Sequence, residues 1–265
     1  MSEELEGLRG LTEIGRGGFG VVFKAVETDL GRTVAVKLLP TLVDEAATRR
    51  FERERLALGA MSTHPHIITI HRSGRAPDGR PYLVMEFCEQ GSIADELERT
   101  GPLPWPRATE LGVKLAGALE TAHRAGIVHR DIKPANVLVS NLGEPKLADF
   151  GIARMDGAPE TQSATITASL AHAAPEIIAG RRPDARSDVY GLGSTLYEFL
   201  AGVPAFVDAT DESMLPILNR IARDPMPPFP PQVAVPPAVE AVIRQAMAKE
   251  PADRPASAAE FGHLL

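Results

Sequence analysis

His129-Arg130-Asp131-Ile132-Lys133-Pro134-Ala135-Asn136, followed after a short hydrophobic run by Asp149-Phe150-Gly151, is the stretch that decides the fold. A lysine stands two positions after the first aspartate and an asparagine three further on, and a second aspartate lies 18 residues after the first (131 to 149). These residue types suit chemistry on phosphate esters. A carboxylate can orient a hydroxyl, a cation can face a moving phosphoryl group, and oxygen ligands can hold Mg²⁺.

Upstream, Gly15-Arg16-Gly17-Gly18-Phe19-Gly20-Val21-Val22 is a glycine-rich loop. Glycines let backbone amides approach phosphates without a Cβ in the way. Alone the pattern is as compatible with a plain turn. Its place between two strands, rather than before a helix, disfavours a dinucleotide fold. Val34-Ala35-Val36-Lys37 then puts a lysine in an apolar strand. It is either an edge lysine facing water or a cation for the α- and β-phosphates.

The first third reads as strands at Leu11–Ile14, Val21–Val26 and Arg32–Leu38, a helix from Asp44 to Met61 with Phe51, Arg55, Leu58 and Met61 on one face, and strands at Ile67–Arg72 and Tyr82–Phe87. After Gly91 the texture is helical. Ser92 is placed to cap a helix through Leu97; Pro106–Ala125, Asp188–Ala201, Val239–Ala248 and Ala258–Leu265 follow. Residues 224–237 are too rich in proline for helix interior and read as a surface loop. Trp105, between two prolines, reads as a packing anchor at a helix start.

With 44% hydrophobic and 24% charged residues among 265, the composition is that of a globular protein with an ample core. A net charge of −7 argues against a broad basic face for nucleic acid. The single cysteine, Cys88, excludes an internal disulfide framework and suits a reducing compartment. No apolar run approaches the roughly 20 residues of a membrane helix. The acidic start, Met-Ser-Glu-Glu-Leu-Glu, has no apolar signal core. The expected location is therefore cytoplasmic.

Taken together, the glycine loop, Lys37, the 129–136 loop, Asp149-Phe150-Gly151 and Ala174-Pro175-Glu176 resemble the signature of protein kinases, and most of all the bacterial eukaryotic-like (Hanks-type) serine/threonine kinases of actinobacteria. The resemblance covers residues 11 to about 260. It implies an α+β, bilobal protein-kinase-like fold: a small five-stranded antiparallel β lobe with one helix, and a larger, mainly α-helical lobe. Residues 1–10 would be an N-terminal extension, 11–87 the N-lobe, 86–91 the hinge and 91–265 the C-lobe.

The function so implied is transfer of the γ-phosphoryl of Mg·ATP to Ser/Thr hydroxyls of a protein substrate, with autophosphorylation. Mn²⁺ is an alternative metal. Asp131 would orient the hydroxyl and Lys133 would stabilise the transferring phosphoryl. Asn136 and Asp149 would hold the metal. Lys37 would bind phosphates, held by Glu54, with Glu52 its rival. Ile14, Gly15, Gly17, Gly20, Val22, Ala35, Met85, Glu86, Cys88 and Leu138 would line the nucleotide site. Glu176 would pair with Arg254, and Asp188 would buttress the catalytic loop. Phosphosite candidates are Thr165 and Thr167, then Thr161, Ser163 and Ser169. An N-lobe homodimer is a further implied partner state. The alternative reading is a pseudokinase-type nucleotide-binding scaffold.

One stretch departs from the pattern. Where such kinases commonly have Gly-Thr-x-x-Tyr, this chain has Ala168-Ser169-Leu170-Ala171-His172. The departure bears on substrate docking and loop geometry rather than on phosphoryl transfer.

Overall fold

A computed structural model describes residues 5–17, 20–41, 45–150, 170–208, 210–211 and 213–265, with the backbone alone described at 45–47, 50, 53–54 and 58. Five strands, β1 (Leu8–Gly17), β2 (Gly20–Glu27), β3 (Arg32–Leu38), β4 (Ile70–Arg75) and β5 (Pro81–Glu86), form one antiparallel sheet in the order β1-β2-β3-β5-β4. Strand β3 is buried from Val34 to Leu38, and its alternation decides what each face does. Val34, Val36 and Leu38 join Ala25, Tyr82 and Val84 in one apolar cluster, which also takes Leu5 and Leu8. Ala35 and Lys37, on the other face, are left for the cleft between the lobes. Helix α1 (Glu45–Met61) packs Phe51 against Leu39 and Leu83.

Two strands start three residues away from the sequence reading. Strand β1 opens at Leu8 rather than Leu11, because Leu5 and Leu8 are needed to close the outer cluster. Strand β4 opens at Ile70 rather than Ile67, because the preceding residues pair elsewhere. Ile67 bridges Leu147 in parallel, Ile68 N donates to Leu147 O at 3.0 Å, and Leu147 N donates to His66 O at 2.9 Å. Those bonds tie the β lobe to the hairpin β6 (Val137–Val139)/β7 (Pro145–Leu147) of the larger lobe.

The larger lobe holds α2 (Ile93–Thr100), α3 (Trp105–Arg124), α4 (Pro175–Ile178), α5 (Ala185–Ala201), α6 (Met214–Arg223), α7 (Pro237–Ala246) and α8 (Ala258–Leu264). Helix α5 is its axis, with Val189, Tyr190, Leu192, Leu196, Phe199 and Leu200 all buried. A Cβ on Gly193 would lie 2.9 Å from Ala246 Cβ, so glycine allows α5 and α7 their close approach.

Ser92 caps α2 as expected, and Asp95 closes a reciprocal capping box. Helix α5 begins at Ala185 rather than Asp188, because Asp184 accepts bonds from Arg186 N and Ser187 N. Helix α6 was not foreseen: it carries Pro216 in its first turn and only Ile217 and Ile221 are buried. Trp105 does open α3, but it is 41% exposed, so it anchors less than its size suggested.

Candidate active site

The 129–136 loop is held from below by one buried carboxylate. Asp188, on α5, accepts His129 N (2.7 Å) and His123 Nε2 (2.7 Å) through Oδ2, and Arg130 N (2.8 Å) through Oδ1. Arg130 has φ 70 and Asp149 has φ 61, both in the left-handed region that side chains other than glycine rarely adopt. The first is held by Asp188 and the second by Lys37. His129 is fully buried, and burial pushes its imidazole down, so it stays neutral. Its Nε2–H donates to Ala148 O at 2.9 Å while Nδ1 accepts from Asp131 N at 3.3 Å. Its ring packs on Phe150 with centroids 4.6 Å apart. The two halves of the decisive sequence stretch are therefore joined through His129.

On this frame the polar residues meet. Lys133 Nζ lies 3.0 Å from Asp131 Oδ2. Asn136 Nδ2 donates to Asp131 O (2.6 Å) and to Asp131 Oδ2 (3.0 Å). A 3₁₀ turn at Pro134–Asn136 aims the asparagine back at the aspartate, and Ala148 N donates to Asn136 O at 2.9 Å. From the other lobe, Lys37 Nζ reaches Asp149 Oδ1 at 2.8 Å. The structure thus brings Lys133 and Asn136 onto Asp131, and Lys37 onto Asp149.

With its amide nitrogen committed to Asp131, Asn136 keeps its Oδ1 as the atom that would ligate a cation, and Asp149, paired with Lys37, would add a carboxylate. Such hard oxygen donors fit a divalent metal that takes its remaining ligands from phosphates and water. The side chain of Glu54 lies outside the described residues. Glu52, its rival, pairs with Arg55 at 2.5 Å instead of entering the cleft.

The apolar wall is shared between lobes. Ala35, Ile68, Met85, Cys88 and Ala148 cluster with Val22, Phe87 and Leu138. Ile68, Phe87 and Ala148 are additions the sequence did not single out; Ile68 enters only because β4 starts late. Ile14 is 50% exposed and outside this cluster. Val22 stands opposite Lys37 across β2 and β3, and Gly15 opposite Val22, which puts the glycine strand over the cleft. Gly20 has φ 126, and a Cβ there would lie 2.2 Å from Leu38 O, so only glycine fits. Gly15 and Gly17 face open space. Gly18 and Phe19 lie outside the described residues.

Burial pushes the Cys88 thiol up to about 11, which keeps it a protonated, unreactive hydrophobe. The Glu86 side chain turns away from the cluster to Thr69 N (2.7 Å) and Lys146 Nζ (2.9 Å).

Below the cleft, Glu176 and Arg254 form a buried bidentate pair at 2.7 and 2.8 Å, with Ser187 Oγ donating to Glu176 at 2.7 Å. Burial alone would raise the Glu176 carboxyl, but the bonds from Arg254 and Ser187 outweigh it and hold it below the usual carboxylate range. Thr161, Ser163, Thr165, Thr167 and Ser169 lie outside the described residues. His172 is buried and bonded to α5, a placement the sequence gave no sign of.

Comparison with known proteins gives a consistent picture. The protein kinase domain model matches residues 8–264. The serine/threonine-protein kinase PknK of Mycobacterium tuberculosis is 46% identical over 259 residues, covering 98% of this chain and 23% of PknK. The serine/threonine-protein kinase PknB of Mycolicibacterium smegmatis is 38% identical over 256 residues, covering 94% of this chain and 40% of PknB. The chain therefore spans well under half the length of these curated relatives. A crystal structure of the Mycobacterium tuberculosis PknI kinase domain superposes with a TM-score of 0.71 at 27% identity, covering 99% of this chain and 96% of the other.

Proposed function

This chain belongs to the protein kinase domain family, and we propose that it is an active serine/threonine protein kinase that transfers the γ-phosphoryl of Mg·ATP to protein hydroxyls. The observation that carries the reading is the meeting of Lys133 and Asn136 on the Asp131 carboxylate, each at 3.0 Å, together with the Lys37–Asp149 pair at 2.8 Å. When bound, Mg·ATP supplies the phosphoryl group and the cation that neutralises its oxygens.

The protein's own groups then do four things. Asp131 accepts the hydrogen bond of the acceptor hydroxyl and aims its oxygen at the phosphorus. Lys133, beside it, offsets the charge that gathers on the transferring group. Asn136 and Asp149 hold the cation. Lys37 would pair with the α- and β-phosphates, and Asp149 would then serve the metal. The wall of Val22, Ala35, Met85 and Leu138 takes the base. Most of the acceleration comes from position and charge rather than from covalent chemistry.

The pseudokinase alternative finds no support, since Lys37, Asp131, Lys133, Asn136 and Asp149 are all in the chain. The same reading extends to a metal preference for Mg²⁺ over Mn²⁺, to autophosphorylation within residues 161–169 and to pairing of N-lobes in a homodimer. The activity is tested with labelled ATP on wild type, Asp131→Asn and Asp149→Asn. The variants are expected to lose roughly 10²–10⁴ in transfer rate. Equal incorporation in all three proteins would refute the assignment.

A further inference from the structure

Residues 224–237 join α6 to α7 over the surface of the larger lobe. From 224 to 231 the run is Asp-Pro-Met-Pro-Pro-Phe-Pro-Pro, in which every residue is a proline or stands directly before one. A proline ring fixes its own φ, and it drives the residue before it out of the helical region. The run is therefore confined to extended, polyproline II backbone. Asp224, at φ −83 and ψ 140, and Pro236, at φ −60 and ψ 139, frame the connection with that geometry.

A polyproline II helix has three residues per turn, so residues three apart share an edge. Burial along the run follows that period. Met226 and Phe229 form the inward edge and pack on the core of the larger lobe, Met226 being 4% exposed. Pro225, Pro228 and Pro231 form an edge that is exposed throughout, and Pro227 and Pro230, on the third edge, are half-buried. The run is also tied down. Phe229 stacks on Tyr197 of α5 with ring centroids 4.7 Å apart, Tyr197 OH donates to Pro228 O at 3.3 Å, and Arg244 Nη1 of α7 donates to Met226 O at 2.7 Å. What the segment turns outward is thus a pair of dipeptides, Pro227-Pro228 and Pro230-Pro231, separated by one residue that faces the protein.

We propose that residues 225–231 are a docking ridge for a partner protein whose groove is lined by aromatic side chains, each slot taking one of the two dipeptides. Grooves of that chemistry read proline pairs at this spacing. The ridge is ordered before contact, so binding it costs little conformational entropy. The elements that hold it, α5 and α7, do not carry Lys37, Asp131, Asn136 or Asp149, and the proposal does not depend on the phosphoryl-transfer reading.

The test titrates the whole chain into a panel of isotope-labelled SH3, WW and EVH1 domains and follows the resonances of their grooves. Wild type is compared with Pro228→Ala, Pro231→Ala and the double variant, each checked for folding by thermal unfolding, and with Gln232→Ala, an exposed neighbour outside the ridge. Binding in the groove of at least one member is expected at a Kd of about 1 mM or below. The double variant should weaken it roughly tenfold or more, and Gln232→Ala should leave it within about twofold. If the double variant does not fold, the single variants carry the readout, each with a loss of roughly threefold or more. No groove shift in any member at millimolar chain overturns the proposal. So does binding that the folded proline variants leave at wild-type strength. Sedimentation equilibrium is the second arm: self-association of wild type that the proline variants abolish would assign the ridge to a second copy of this chain and overturn the partner claim.

Discussion

Arg254 and Glu176 show how a single pair fixes a whole segment. The guanidinium is 3% exposed and spends its remaining donors on Ala248 O, Lys249 O and Arg186 O. Removing one member leaves the other charge buried and unpaired. Arg254→Ala is expected to cost about 3–5 kcal/mol by denaturant unfolding. Arg254→Lys should recover little, since an ammonium cannot reproduce the bidentate fork. A loss under about 1 kcal/mol in Arg254→Ala would mean the pair is not the fastening described.

Histidine protonation gives a second test at this scale. Burial lowers His129, and also His64 and His71, below the ordinary imidazole value. A histidine whose folded value is depressed binds fewer protons folded than unfolded, so it takes stability away as pH falls through the ordinary range near 6.5. Glu176, also depressed, has the same sign but acts in the carboxylate range. Melting temperature should therefore fall from pH 7 to pH 5 and fall further below pH 4.5. A flat profile across the first interval would contradict a neutral, buried His129.

Among the elements, the start of α2 was legible from its cap. Ser92 reads as a cap, and the structure adds a reciprocal capping box, with Asp95 N donating to Ser92 Oγ at 3.2 Å and Ser92 N to Asp95 Oδ2 at 2.7 Å. Ser92→Ala should cost about 0.5–2 kcal/mol, measured by thermal or denaturant unfolding. Asp184 caps α5 in the same way, but the mostly polar run Ala185-Arg186-Ser187-Asp188 hid its role, so α5 was placed late. Helix α6 escaped because its stripe is only two buried isoleucines and its proline suggested a break; proline in a first turn removes no helical hydrogen bond. Strand β4 illustrates the reverse case. Ile67 and Ile68 have strand propensity, and they do pair, but with β7 of the other lobe. Propensity states that a residue will be extended; it does not say against what.

For the whole molecule, the motifs located both lobes and most of the cleft, because phosphate chemistry demands particular residue types at particular spacings. What they could not give was the joinery. His129 touching both Ala148 and Phe150, His123 joining the expected Asp188 beneath the catalytic loop, and the Glu86–Lys146 bond across the lobes depend on long-range packing rather than on local pattern. The Lys37–Asp149 pair is of this kind too: each residue was legible, and their meeting at 2.8 Å was not. His172 lies at the far end of that scale, since a departure from a pattern says only that something differs.

Central to the account is the claim that this cleft moves phosphate to a serine or threonine. A single-turnover experiment with labelled Mg·ATP and a protein acceptor, followed by phosphoamino-acid analysis, tests it most directly. We predict phosphoserine or phosphothreonine from wild type and almost none from Asp131→Asn. Stoichiometric nucleotide binding by wild type with no label on any hydroxyl would contradict it.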